Sequence, residues 1–366
     1  MTTSRAPHAD IGSRRITGRL FAGLALIATL GPAGASTPDT TPPTSTCEAI
    51  GREVQQIHSV NKDGLARVRV HTTIGTLSGT GFFIDGDGTL ISSSSLIANK
   101  DQVWIEWGGL KAKADIVGMD RRSSIVLLKS NLQGMPLKLS GGRPKVGEPA
   151  IALGYQYDKE SAPAFGLVSG IDATSPEGRY FCASHIRADI SLAPGMMGGP
   201  LLDTRGEVIG LVTGTLGGGT RCYALPSPAL ARVMEDLKQH GRPRLGWVGI
   251  SIRHDTNVIA GASSVVVSEV FTNAPAIAAG IRTGDRIVRI SDRDVRHPGD
   301  IIDASFLARV GETMSLVLRR GTEELAFDLP VQERPAPPPG SPGFGFADAQ
   351  SFTPPTDKSI QVNATP

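Results

Sequence analysis

Residues 193–201 read Ala-Pro-Gly-Met-Met-Gly-Gly-Pro-Leu. Glycines stand at 195, 198 and 199. The N–H groups of Gly195 and Met197 could stabilise a developing oxyanion. The side chain offered there is a thioether, which has no proton to lose and accepts hydrogen bonds weakly. Met197 therefore cannot form an acyl-enzyme. Met196 and Met197 read most simply as filler of an apolar site, with a soft floor for a peptide cleft as the alternative. Nucleophilic catalysis also needs a base with a pKa near the working pH and a group that orients it. Serine hydroxyls are not bases at neutral pH; base catalysis alone is typically worth about 10²–10⁴-fold.

The histidines are His8, His58, His71, His185, His240, His254 and His297. None falls in a His-x-x-x-His or His-Glu-x-x-His arrangement, so neither a metal nor a cofactor is expected. His185 and Asp189 are four apart, on one face if the segment is a strand. That makes them a candidate relocated catalytic pair, against the plainer reading of a hydrogen-bonded or exposed pair. Gly217-Gly218-Gly219 lacks the Lys-Ser/Thr of a phosphate loop and reads as a hairpin turn.

The elements that must position these residues are mostly short strands. Aromatic residues are only 5%, and 44 glycines punctuate brief apolar runs. Strands are expected at Ala66–His71, Gly79–Ile84, Thr89–Ser93, Gln102–Trp107, Ala112–Val117 and Ile125–Lys129, with a tight turn at Asp85-Gly86-Asp87-Gly88. After a break near Ser140–Lys145 come Pro149–Leu153, Ala164–Ile171, His185–Ile190, Gly199–Asp203, Val208–Thr213 and Cys222–Leu225. Two runs of six strands predict two successive antiparallel barrels. Helices are expected over Glu48–His58 and Pro228–Gln239, the second stopped by Gly241 and Pro243. A separate unit follows, with strands at Trp247–Ile252, Ser264–Val270, Asp285–Ile290, Thr313–Arg319 and Glu324–Leu329 and helices at Pro275–Ala279 and Ile301–Arg309.

The ends of the chain point to export. Arg14, Arg15 and Arg19 precede the apolar run Leu20–Leu30, and Ala33-Gly34-Ala35 is a small-x-small cleavage site. The run is short for a membrane span, so no stable span is expected after cleavage; a retained anchor helix is the alternative. Residues 1–35 thus read as a signal peptide and 36–48 as a Ser/Thr/Pro linker. Residues 334–366 read as a disordered Pro/Gly-rich tail. Cys47 lacks the upstream leucine of a lipidation site. Export permits disulfides, and of Cys47, Cys182 and Cys222 the last two are the candidate pair; buried inert thiols are the alternative. The whole chain carries +2, and the signal holds four arginines against one aspartate, leaving −1. A nearly neutral chain gives no electrostatic reason for a nucleic-acid partner.

Several collinear segments resemble the HtrA/DegP family, a trypsin-like serine protease followed by a PDZ domain. They are residues 80–88 (Thr-Gly-Phe-Phe-Ile-Asp-Gly-Asp-Gly), 118–129, 146–154, 199–203 and 206–210. The resemblance covers roughly residues 49–333 and implies a mainly β protein: double barrel over 49–240, PDZ domain over 241–333. It also implies where a triad would sit. The histidine position is Ser95, the aspartate position Ser124 and the nucleophile position Met197. On that basis the chain is expected not to be an enzyme but a pseudoprotease with a residual oxyanion loop at Gly195 and Met197.

The PDZ-like segment keeps its frame. Gly246-Trp247-Val248-Gly249-Ile250 matches the carboxylate-binding loop, and Asn273–Ile281 and Gly284–Ile290 follow the pattern. Trp247, Val248, Gly249 and Ile250 are the candidate peptide-binding residues, with the helix at Ile301–Arg309 as the other groove wall. The expected partners are unfolded or C-terminal peptide segments, or an active homologous protease, in a scaffold, chaperone-like or regulatory role. The expected location is periplasmic or extracellular. The alternatives are an active endopeptidase with a non-standard site and a structural cell-envelope protein. Relatives use N-terminal aromatic residues to form trimers; Cys47–Val70 contains none, which leaves the oligomeric state open.

Overall fold

The computed structural model describes residues 45–73, 75–97, 102–175, 180–255 and 262–335. The predicted signal peptide, most of the linker and nearly all of the tail lie outside these residues. The first element is helix α1 (Thr46–Asn61). Ser45 caps it: its Oγ accepts the Glu48 amide at 3.2 Å, and the Glu48 carboxylate accepts the Ser45 amide at 3.1 Å. That reciprocal box starts the helix two residues before the expected Glu48, inside the predicted linker.

The first barrel comprises β1 (Leu65–Thr72), β2 (Gly75–Phe83), β3 (Thr89–Ser93), β4 (Gln102–Trp107), β5 (Leu110–Asp120) and β6 (Ile125–Lys129), closed in the order β1-β2-β3-β6-β5-β4. The second comprises β7 (Pro149–Tyr155), β8 (Ser161–Thr174), β9 (Tyr180–Asp189), β10 (Pro200–Leu202), β11 (Val208–Leu216) and β12 (Arg221–Pro226), closed as β10-β11-β12-β9-β8-β7. Closure leaves no sheet edge in either barrel. The β2–β3 turn is built as expected: Asp85 Oδ1 accepts the amides of Asp87 (3.1 Å) and Thr89 (3.0 Å). Each barrel has its own apolar core, and a third core lies between them, with Leu65, Phe82, Ile151 and Leu153 fully or almost fully buried. Helix α2 (Ser227–His240) packs Leu230, Val233 and Leu237 into that shared core and ends at Gly241, whose φ of 67° is the left-handed cap that glycine adopts freely.

The C-terminal unit comprises β13 (Gly246–Trp247), β14 (Ile250–His254), β15 (Val265–Val270), α3 (Pro275–Ala278), β16 (Arg286–Ile290), β17 (Arg293–Asp294), α4 (Pro298–Leu307), β18 (Thr313–Arg320), β19 (Glu323–Pro330) and β20 (Gln332–Glu333). Its main sheet runs β14-β15-β16-β18-β19, so β14 is an edge strand, while β13 pairs with β20. The expected strand Trp247–Ile252 is thus two strands. Gly249, at φ 86°, breaks it, because that conformation leaves the extended region.

The candidate disulfide does not form: Cys47, Cys182 and Cys222 are all free. Cys222 pairs with Ala188 across β12 and β9, and Cys182 lies six residues further along β9. Six residues of strand span about 20 Å, far beyond the Cα separation of less than about 7 Å that a disulfide allows.

Candidate functional site

Of the three loops that would carry a triad, two are bonded main chain to main chain and the third packs closely against the end of β3. Ser95 sits exposed on a single 3-10 turn, Ser94–Leu96, which follows β3 directly. Ser124 lies in the β5–β6 turn with φ 58°, and its carbonyl accepts the Ser94 amide at 3.0 Å. The Met197 carbonyl accepts the Thr80 amide from β2 at 2.9 Å. Gly198, at φ 81°, brings the loop so close that a Cβ there would lie 2.4 Å from Ser92 Oγ.

The side chains at these positions form no proton relay. Ser95 Oγ shares a 2.6 Å hydrogen bond with Ser93 Oγ, hydroxyl to hydroxyl. The carboxylate on the Ser124 turn, Asp120, is buried and occupied by Ser123 Oγ (3.0 Å) and the Arg122 amide (3.1 Å). Met196 is buried in the second-barrel core and Met197 packs half-buried beside it. Ordinary packing therefore accounts for the Met pair. Tyr157 and Thr80 fix the loop from outside, the Tyr157 amide donating to Pro194 O (2.9 Å) and Thr80 Oγ1 to Gly195 O (2.7 Å). Among the described residues the amides of Gly195 and Met197 find no acceptor.

His185 and Asp189 are not a catalytic pair. His185 is buried, its Nδ1 2.8 Å from Ala183 O and its ring 4.3 Å from that of Phe181. Burial pushes its pKa down to about 4. Asp189 is engaged elsewhere, by Ser169 Oγ at 3.1 Å and Arg221 at 3.2 Å. Burial also pushes the Cys182 and Cys222 thiols up to about 12, so neither is a thiolate nucleophile near neutral pH.

The second candidate site is the groove between β14 and α4. The Val248 carbonyl accepts the Ala276 amide (3.0 Å), and the Gly249 carbonyl accepts the Phe271 amide (2.9 Å). A trans peptide points its C=O and the next N–H in opposite directions. The N–H groups of Gly249 and Ile250 are therefore aimed away from the fold, as a nest for an anion requires. Only glycine fits at 249, since a Cβ there would lie 1.9 Å from Ala274 Cβ. Beyond the loop, β14 keeps its outer edge unpaired in the main sheet. A cavity of about 210 Å³ runs between that edge and α4, with Ile250, Ile252, Ile301 and Ile302 among its walls and Met314 and Leu316 below. Trp247 and Phe271 meet at its end with their rings tilted, centroids 5.7 Å apart.

Sequence reasoning did not anticipate that the barrels also line this groove. Arg122 and Cys182 face the same cavity. They do so because α4 is docked on the second barrel. Asp303 bonds the Ser184 amide and Arg143, both at 2.6 Å, and Gly299 comes so close that its Cβ would meet Ala173 Cβ at 2.7 Å. Phe306 packs against the core shared by the two barrels.

Comparison with known proteins agrees with this architecture. The family model for the trypsin-like peptidase domain matches residues 79–211, and that for the PDZ domain matches residues 246–331. A probable periplasmic serine endoprotease, DegP-like, of Marinomonas sp. (strain MWYL1) is 26% identical over 273 residues, covering 71% of this chain and 58% of the relative. Its counterpart from Pseudomonas putida (strain GB-1) is 27% identical over 270 residues, covering 70% and 56%. The chain thus spans less than two thirds of the length of these relatives. Among solved structures, the HtrA-type protease AlgW with tripeptide superposes with a TM-score of 0.65 at 23% identity, covering 78% of this chain and 98% of that one. The serine endoprotease from Yersinia pestis gives 0.57 at 22%, covering 77% and 98%.

Fold and site define a trypsin-like double barrel followed by a PDZ domain. In this domain order the chain is similar to the DegP-like relatives and to the HtrA-type structures. One expectation is corrected by these comparisons: the triad positions imply that the chain is not an enzyme, and the naming of its relatives as serine endoproteases contradicts that.

Proposed function

We propose that this chain is an exported protein of the serine-endoprotease class that captures protein segments by their C-termini in the PDZ groove. The observation that carries the reading is the loop geometry. The Val248 and Gly249 carbonyls are tied into the fold, which leaves the Gly249 and Ile250 amides pointing away from it at the start of β14. A peptide would add as a strand on β14, its terminal carboxylate on those amides and its last side chain among the isoleucines. The periplasmic naming of the DegP-like relatives supports an envelope location, and the signal peptide expected over residues 1–35 accords with it.

Peptide hydrolysis by this chain would run through side chains other than Ser95, Ser124 and Met197, because a shared hydroxyl bond and a thioether supply neither base nor nucleophile. The Gly195 and Met197 amides would remain usable as oxyanion donors.

The test is binding of a C-terminal peptide library to the full chain and to Gly249→Asp, beside digestion of unfolded casein. Binding of free-ended peptides that is lost in Gly249→Asp supports the reading; equal binding by both proteins overturns it. Casein fragments, traced with a fluorophosphonate probe to a labelled serine, would assign the catalytic residue.

A further inference from the structure

The groove holds charge that the fold does not balance. Arg122 reaches it from the β5–β6 turn of the first barrel, and Arg334 from just past β20. The Arg334 amide donates to Leu245 O at 2.8 Å, which fixes its backbone beside the start of the carboxylate-binding loop. Its guanidinium has neither a hydrogen bond nor an ion pair among the described residues. The neighbouring carboxylate, Glu333, is already held by Arg242 and by Arg244, the latter at 3.1 Å. Arg122 reaches Asp120 through a single long contact of 3.4 Å, while Asp120 also serves Ser123. Half-burial and then the charge of Arg122 hold the Arg334 pKa below the usual arginine range. Two cations beside one cavity, with one carboxylate that contacts Arg122 alone of the two, leave about one positive charge uncompensated, and partial desolvation strengthens its attraction for an anion.

We propose that Arg122 and Arg334 form a cationic clamp that selects peptides bearing an acidic side chain near the C-terminus. This rests on the groove reading above, in which the Gly249 and Ile250 amides take the terminal carboxylate. The clamp therefore takes a second one, from Asp or Glu. Arginine suits the task, since its planar fork can hold a carboxylate bidentately and keeps its charge when half-buried. The apolar walls then read the last side chain, while the clamp reads charge upstream of it.

The test uses fluorescence anisotropy with the full chain and labelled decapeptides ending in valine. Glu is placed in turn at each of the three preceding positions, and a Gln peptide and a C-terminally amidated peptide are run beside each. At one position Glu should bind about tenfold tighter than Gln, in line with a charge-assisted bond, and high salt should shrink the gap. Arg334→Gln should abolish the preference while leaving the Gln peptide's affinity unchanged. Arg334 has no partner to lose, so this variant should fold; Arg122→Gln should give the same loss of preference. Equal binding of Glu and Gln peptides at every position, with the amidated forms silent, overturns the clamp and leaves the groove reading standing. No binding of any free-ended peptide overturns the groove reading itself.

Discussion

Asp303 and Ser184 are joined across 119 residues of chain: the Asp303 carboxylate, on α4, accepts the main-chain amide of Ser184, on β9, at 2.6 Å. Its second oxygen takes the Arg143 guanidinium, also at 2.6 Å, and Asp303 is only 5% exposed. The helix that forms one wall of the β14–α4 groove is thereby fastened to the second barrel. Asp303→Ala would strand a buried amide and a mostly buried cation, weakening the docking by about 2–4 kcal/mol. Calorimetry should then resolve the PDZ unit as a separate transition, and limited proteolysis should cut near residues 241–245. A single unchanged transition would count against this fastening.

Much of this arrangement is legible in the sequence, and the illegible part has a physical cause. β3, β4 and β6 fall where apolar runs bounded by turn residues place them, because both ends carry a local signal. β8 extends to Ser161 and Thr174 through polar residues with no such signal. α4 begins at Pro298, not Ile301; proline in the first turn and Asp300, which accepts the His297 amide at 3.1 Å, mark the start. The loops of Ser95, Ser124 and Met197 could be placed from motif frames, as could Gly249. The pairings of Asp303 with Arg143 and of Arg122 with the groove link residues far apart in sequence, and nothing local to either residue encodes its partner.

Gly249 separates steric from torsional cost. At Gly249 an added Cβ would both adopt φ 86° and meet Ala274 Cβ at 1.9 Å; at Gly280, φ is 83° and nothing lies within 4 Å. Gly280→Ala should cost only the backbone term, about 1–2 kcal/mol. Gly249→Ala should cost more and reduce peptide affinity, because the Ala274 contact displaces the loop. Urea titration and anisotropy on the two variants check this, and equal losses would show that the Ala274 contact adds nothing to the torsional cost.

His185 should make stability depend on pH in a defined window. Burial, the largest influence, lowers its pKa to about 4; the Ala183 carbonyl and then the charges of Asp303 and Asp172 pull the other way. The unfolded chain therefore binds a proton near pH 6.5 that the folded chain refuses until about pH 4. Stability from this residue is complete above the unfolded value and falls with acidification across that window, by up to about 3 kcal/mol. His185→Phe keeps an aromatic ring beside Phe181 and removes the proton site. Its urea midpoint should fall less than that of the parent chain between pH 7 and pH 4.5; parallel decline would exclude His185 as the source.

The convergence of the three loops predicts how a triad could be rebuilt. Ser94 N–H bonds Ser124 O, and Thr80 N–H, from β2, bonds Met197 O, so the main chain already holds each loop in place. Met197→Ser alone places a hydroxyl in the loop without a base, and its labelling by a fluorophosphonate probe should stay at the level of the parent chain. Adding Ser95→His and Ser124→Asp supplies a base and an orienting carboxylate, and Asp tolerates the positive φ at 124 better than most side chains. The triple variant should label at position 197 about 10²–10⁴-fold faster than Met197→Ser, the usual worth of general-base catalysis. Mass spectrometry of the labelled peptide reads the site. Equal labelling of the single and triple variants would mean that the backbone contacts do not bring the three side chains into reacting geometry.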